Sequence, residues 1–147
     1  MRKQLREVII KPVLETLGLY SKEAEDLLYG TACVESGCGE YIVQVGKGPA
    51  KGIFQMEPAT ARDIYANFLK YKPDLQARVD ALRCDGLSLE ENLTGNLYYA
   101  TAMCRVHYLR QPGAIPKDSY GQARYWKDFY NTALGKGTVE KYLKAYR

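Results

Sequence analysis

Glu35 is the residue whose type and position are best suited to chemistry. Counted from a cap at Ser21, the residues Ala24, Leu28, Thr31 and Glu35 fall at helical spacing, so Glu35 continues a stripe that turns toward the interior. It also stands in the last turn before a stop at Ser36-Gly37. There the helix presents the negative end of its macrodipole, which costs a carboxylate a few tenths to about 1 kcal/mol. Burial and dipole act in the same direction, each disfavouring the charged form and raising the pKa. A carboxylic acid that keeps its proton near neutrality suits a glycosidic leaving group, whose oxygen must be protonated as the C–O bond breaks. The spacing alone is also compatible with a solvated Glu at a frayed helix end.

Other reactive side chains are fewer. Glu57 follows Gln55-Met56 and reads as an N-terminal helix residue facing the helix dipole, with Asp63 a weaker acid candidate. His107, the single histidine, lies on an apolar stripe and reads as a satisfied core residue. Thirteen tyrosines stand against three phenylalanines, and a flat apolar face with a polar edge suits sugar rings. Tyr41, Tyr98, Tyr125 and Tyr130 are the cleft candidates, and Trp126, one helical turn before Tyr130, reads as core or cleft wall. Cys33, Cys38, Cys84 and Cys104 match no zinc spacing. They read as free thiols, Cys33 and Cys104 as small buried hydrophobes, with Cys33–Cys38 left open as a bridge across a helix end. No metal or cofactor is implied.

The elements that must position these groups are mostly helical. A first helix is expected from Arg2 to about Leu17, bent or broken by Pro12 and stopped by Gly18. The second starts at the Ser21 cap. Residues 37–52 are rich in glycine around YIVQV, which predicts a loop with one small hairpin. Pro58 opens a helix to about Leu69, and Pro73 a shorter one to about Arg83. Ser88-Leu89-Glu90-Glu91 is a capping box, and Leu89, Leu93, Leu97, Ala100 and Cys104 trace an apolar face. One long helix to about Leu109 is therefore expected at the buried centre. Helical character returns from about Asp118 to Tyr130, breaks at Leu134-Gly-Lys-Gly, and resumes after a Thr138 cap to Tyr146.

With 147 residues, 46% of them hydrophobic, the chain suits a single domain over 1–147 with one core. The net charge of +4 suits a polyanionic partner without naming one. Lys and Arg are scattered with no groove-reading motif, which argues against nucleic acid. Lys11 and Glu15 interrupt any apolar signal region, so no signal peptide is read. No stretch approaches the roughly 20 apolar residues of a membrane span.

Several short motifs occur in register: Glu35-Ser36 at a helix end, Gly52-Ile53-Phe54-Gln55-Met56, Pro58-Ala59-Thr60-Ala61, Asn92-Leu93-Thr94-Gly95-Asn96-Leu97-Tyr98-Tyr99, and Tyr130-Asn131. In this order, over about Ala24 to Tyr142, the chain resembles the soluble lytic transglycosylases, particularly members encoded by bacteriophages. The resemblance implies a mainly α, lysozyme-like fold, with helices around a central buried helix and a small hairpin or loop beside the active site. It implies Glu35 as catalytic acid and base, with Ser36 orienting it. Gln55 and Met56 would face the sugar cleft, and Gly52 would keep backbone close to substrate. Tyr130 would bring its hydroxyl near the carboxyl, and Asn131 would hold the cleft wall. Two positions depart from the pattern, Phe129 and Thr132 standing where small residues are usual.

The implied partner is the glycan strand of bacterial peptidoglycan, cut between N-acetylmuramic acid and N-acetylglucosamine with closure of a 1,6-anhydro ring. Such a chain would be made in a host cytoplasm and act on the wall, associated with a virion and its proteins or released at lysis. No obvious second carboxylate accompanies Glu35, whereas a two-carboxylate hydrolase needs one at about 5–9.5 Å. Glu40, in the following loop, is the exception to weigh: as a second carboxylate it would make the protein a muramidase using water, and otherwise it is a solvated loop residue. A non-catalytic virion or wall-binding module with the same fold is the remaining alternative.

Overall fold

The computed structural model describes residues 1–131 and 135–146. It is mainly helical, with no strand among the described residues. The chain opens with α1 (Arg2–Gln4), a π-helical segment (Leu5–Ile10) and α2 (Lys11–Thr16), which run on without interruption. Pro12 was expected to bend or break this helix. Instead the turn before it is widened, and Lys11 N–H bonds back to the Arg6 carbonyl, so the proline ring is accommodated and helical hydrogen bonding continues. Gly18, in the left-handed region, ends the run as expected.

Next comes α3 (Lys22–Ser36), capped by the Ser21 side chain, which accepts the Ala24 N–H at 3.0 Å. Beyond the glycine-rich segment lie α4 (Pro58–Asn67), a 3-10 turn (Leu69–Tyr71) and α5 (Pro73–Asp80). The single long helix expected after Ser88 is two, α6 (Leu89–Gly95) and α7 (Leu97–Leu109). Asn96 separates them with extended backbone, and its side chain caps α7 by accepting the Tyr99 N–H. Its amide also donates to the Leu82 carbonyl and to Asn92 Oδ1. Asn92, fully buried, in turn bonds Cys84 N–H and the carbonyls of Cys84, Leu87 and Ser88. The two asparagines thus satisfy the backbone of the 82–88 loop, which outweighs helix continuity at Asn96. The capping box at Ser88 and Glu91 is present.

The chain ends with α8 (Ser119–Trp126), a π-helical turn (Lys127–Asn131) and α9 (Val139–Tyr146). Thr138 caps α9 through Lys141 N–H. Of the two sequence features expected near here, Thr132 and the start of the break at Leu134 lie outside the described residues.

Helix α7 is the buried centre, with Tyr99 to Val106 and Tyr108 all buried. That accords with its being apolar nearly all round. One side of it joins the π segment, α3 and Tyr125 in a core of Leu5, Ile10, Leu14, Leu28, Phe54, Cys104 and Tyr108. The other side packs Val13, Met56, Ile64, Val79 and Met103. Trp126, Ala123 and Tyr142 join α8 to α9. No helix among the described residues is long and apolar enough to cross a membrane.

The expected hairpin does not form. Strand-like pairing in the segment is limited to two isolated antiparallel bridges, Val43 to Lys51 and Lys51 to Met56. Tyr41, Ile42, Val43 and Val45 are exposed with no face to pack against, and Gln44 Oε1 takes the Ala50 N–H, so a ladder gains too little to outweigh the ordering of its residues.

Candidate active site

The site is built at the end of α3. Gly37 and Cys38 both adopt left-handed backbone (φ 60° and 57°), and Gly37 N–H returns to the carbonyls of Ala32 and Cys33. This cap halts the helix with Glu35 in its last turn. The residue is half-buried, keeping access to solvent while its carboxyl is largely desolvated. Desolvation raises its pKa to about 7, and a hydrogen bond from Trp126 Nε1 to Oε2, 2.9 Å long, opposes the rise. Among the described residues no lysine or arginine contributes to the shift. The contrast is Glu25, the other largely buried carboxylate of α3, which is held below its ordinary value. Burial raises Glu25, but hydrogen bonds from Arg6 and Lys22 more than offset it. The same helix therefore carries one carboxylate fixed as an anion and one poised to gain or lose a proton near neutrality.

Tyr130 lies within reach of the Glu35 charge. Its ring stacks on Tyr108 at 5.2 Å and meets the His107 ring edge at 5.0 Å. Its hydroxyl donates to the Phe54 carbonyl at 2.6 Å. The Glu35 charge helps to raise the pKa of Tyr130, after burial and Cys104. The tyrosine is thus near the carboxyl, but its proton is committed to the backbone beside Gln55. His107 is half-buried and hydrogen-bonded through Nδ1 to Arg110 at 2.8 Å; burial and that cation lower its pKa to about 4, so it is neutral.

Gln55 has left-handed backbone (φ 49°) and donates its side-chain amide to the Gly52 carbonyl at 2.8 Å. A non-glycine residue in this region is uncommon and costs about 1–3 kcal/mol. Gly52 is required by the packing of the chain. A Cβ there would collide with the Leu93 carbonyl of α6, so the glycine allows close packing of two backbones. Two expectations are corrected. Ser36 was assigned to the substrate surface and to orienting Glu35, yet it is buried and its hydroxyl donates to the Ile53 carbonyl at 2.6 Å and accepts from Gly39 N–H. Met56, also assigned to substrate, is 4% exposed and packs in the core beside α7. Both hold the 52–56 segment in place and leave little surface for a ligand.

Asn131 is half-buried and accepts from Lys127 Nζ at 2.9 Å. Phe129 is partly exposed with its ring edge-on to Tyr125 at 4.8 Å. Tyr41 and Tyr98 are exposed and Tyr125 is buried. Glu40 is exposed, its carboxyl lying back toward Gly37. Glu57 is exposed at the start of α4 without a capping bond, and Asp63 is engaged by Arg110 and Asn67. None of the three shares the desolvated setting of Glu35. Among the described residues no group of three His, Cys, Asp or Glu side chains is arranged to hold a metal.

Trp126 is the component that sequence reasoning underestimated. Its position one helical turn before Tyr130 places both on one side of α8 and its π extension, and that spacing was the available signal. A cavity of about 750 Å³ lined by Arg62, Tyr65, Lys70 and Arg83 lies elsewhere and includes none of these residues. No family model, curated protein or solved structure matches the chain.

Proposed function

We propose that the protein cleaves the glycan strands of bacterial peptidoglycan as a lytic transglycosylase of lysozyme-like fold, with Glu35 as acid and then base. The observation that carries this reading is the half-buried Glu35 carboxyl, held near a pKa of about 7 by desolvation and oriented by Trp126 Nε1 at 2.9 Å. A group so poised exists in both protonation states at neutrality, which a single residue acting twice requires. In the first step Glu35 protonates the bridging oxygen, its bond to C1 of N-acetylmuramic acid breaks, the N-acetylglucosamine leaves with a free 4-hydroxyl, and the muramoyl N-acetyl carbonyl oxygen bonds to C1. In the second, the carboxylate takes the proton of the muramoyl 6-hydroxyl, whose oxygen closes the anhydro ring on C1 as the bond from C1 to the acetamido oxygen breaks and the N-acetyl group is restored. The carboxyl is then protonated again.

Glu40, the second carboxylate that a hydrolytic course would use, is exposed with its carboxyl turned back toward Gly37. Trp126 keeps the carboxyl oriented in both states, since its N–H can only donate. Gln55 and Asn131 supply amides for sugar hydroxyl or acetamido groups, and Tyr98 an exposed ring. Clearing of a peptidoglycan suspension tests the proposal. Wild-type protein clears it, and Glu35→Gln, which keeps the shape and can still accept from Trp126, does not. Equal clearing by both proteins contradicts the assignment, and a wild type that binds the wall without clearing it favours a binding module.

A further inference from the structure

The left-handed turn that caps α3 does more than stop the helix. By reversing the chain through Gly37 and Cys38 it lays Cys38 back over the last turn, with its sulfur 2.7 Å from that of Cys33. Both side chains are buried, and both are free thiols in this structure. Arg2, in α1, points Nη1 at Cys33 Sγ from 3.2 Å. Cys38 itself departs from the usual occupancy of such a position, since a non-glycine residue with positive φ is uncommon. The second left-handed residue is what brings the two sulfurs together.

We propose that Cys33 and Cys38 form an oxidisable dithiol that closes to a disulfide and fastens the end of α3, the turn that carries Glu35, to its cap. The pair is chemically asymmetric. The hydrogen bond from Cys38, opposed by burial and aided by Tyr29 and Arg2, lowers the Cys33 pKa to about 7, whereas that hydrogen bond and burial raise Cys38. Cys33 is therefore the attacking thiolate and Cys38 the resolving thiol. With hydrogen peroxide as the oxidant, the Cys33 thiolate attacks one peroxide oxygen, the O–O bond breaks, and the hydroxide released takes a proton to become water. The sulfenic acid so formed at Cys33 is attacked by the Cys38 sulfur, which loses its proton as a second water leaves. Two thiols and one peroxide become one disulfide and two waters. Of the remaining cysteines, Cys104 is buried with its pKa well above the ordinary value, chiefly by desolvation, and Cys84 is exposed in the loop before α6, bonded through its N–H to Asn92, where it can meet the oxidant but not the pair.

The proposal stands independently of glycan cleavage, and its test does not use activity. Purified full-length protein, fully reduced, is treated with a small excess of hydrogen peroxide, alkylated under denaturing conditions, digested and analysed by mass spectrometry. The expected result is a Cys33–Cys38 cross-linked species two hydrogens lighter than the reduced form, reversed by dithiothreitol, with Cys84 and Cys104 still alkylated. The oxidised protein should melt about 5 °C higher than the reduced protein. Cys38→Ser should instead leave Cys33 as a sulfenic or sulfinic acid and show no rise in Tm. Recovery of Cys33 and Cys38 as two alkylated thiols after treatment, or cross-links that chiefly involve Cys84, overturns the proposal. A Tm equal in both redox forms overturns the fastening of α3 even where the bond forms.

Discussion

Glu35→Gln should stabilise the fold at alkaline pH and do little at acid pH. The folded-state pKa of Glu35 is about 7 against an ordinary value of 4.5. Between those values the native state binds more protons than the unfolded state, so stability falls as pH rises. Below about pH 4.5 the carboxyl is protonated in both states and the native protein bears no charge penalty there. Above about pH 7 it is ionised in both, and the native state carries the full cost of a desolvated carboxylate. A difference of about 2.5 pKa units at 1.36 kcal/mol each corresponds to about 3 kcal/mol. Glutamine removes that cost while keeping an acceptor for Trp126 Nε1. Urea denaturation at about pH 4 and pH 8 measures it: the variant should be about 3 kcal/mol more stable than wild type at pH 8, equivalent to a Tm higher by about 6–10 °C, and within about 0.5 kcal/mol of it at pH 4. Equal stabilities at both pH values, or a less stable variant at pH 8, would show that the carboxyl is solvated and that the reasoning from burial is mistaken.

Three other outcomes follow from the same geometry. Trp126→Phe removes the one bond that favours the Glu35 carboxylate, so the alkaline limb of the clearing activity should move up by about one pH unit; a pH–rate profile with an unmoved limb contradicts this. Tyr130→Phe retains the stack on Tyr108 but leaves the Phe54 carbonyl without its donor, which should cost about 1–3 kcal/mol in denaturant titrations and weaken glycan turnover through the neighbouring Gln55. Gly52→Ala combines positive φ with a collision at the Leu93 carbonyl, so a loss of at least about 2 kcal/mol, read as a lower urea midpoint at unchanged slope, is expected.

Local signals were legible and tertiary ones were not. The inward stripe ending at Glu35 and the caps at Ser21, Ser88 and Thr138 are written in nearest-neighbour chemistry, and the structure has them. The division between α6 and α7 was hidden because apolar residues continue in phase across Asn96, while the polar network that favours the break reaches back to Leu82. The hairpin was over-read from β-favouring residues that find nothing to cover them. Ser36 and Met56 looked like surface groups because they adjoin Glu35 and Gln55 in sequence. Alternation of faces along the chain turns them inward, where they bond the Ile53 carbonyl and fill the core. The Trp126 to Glu35 bond spans 91 residues, and no local pattern encodes a contact at that separation.

In the proposed reaction one carboxyl group serves as both acid and base in cutting a glycan strand. Mass spectrometry of the soluble products from purified peptidoglycan addresses it most directly. Muropeptides ending in 1,6-anhydro-N-acetylmuramic acid are expected with wild-type protein and none with Glu35→Gln. Products that all carry a reducing end, or anhydro products that persist in the variant, would contradict it.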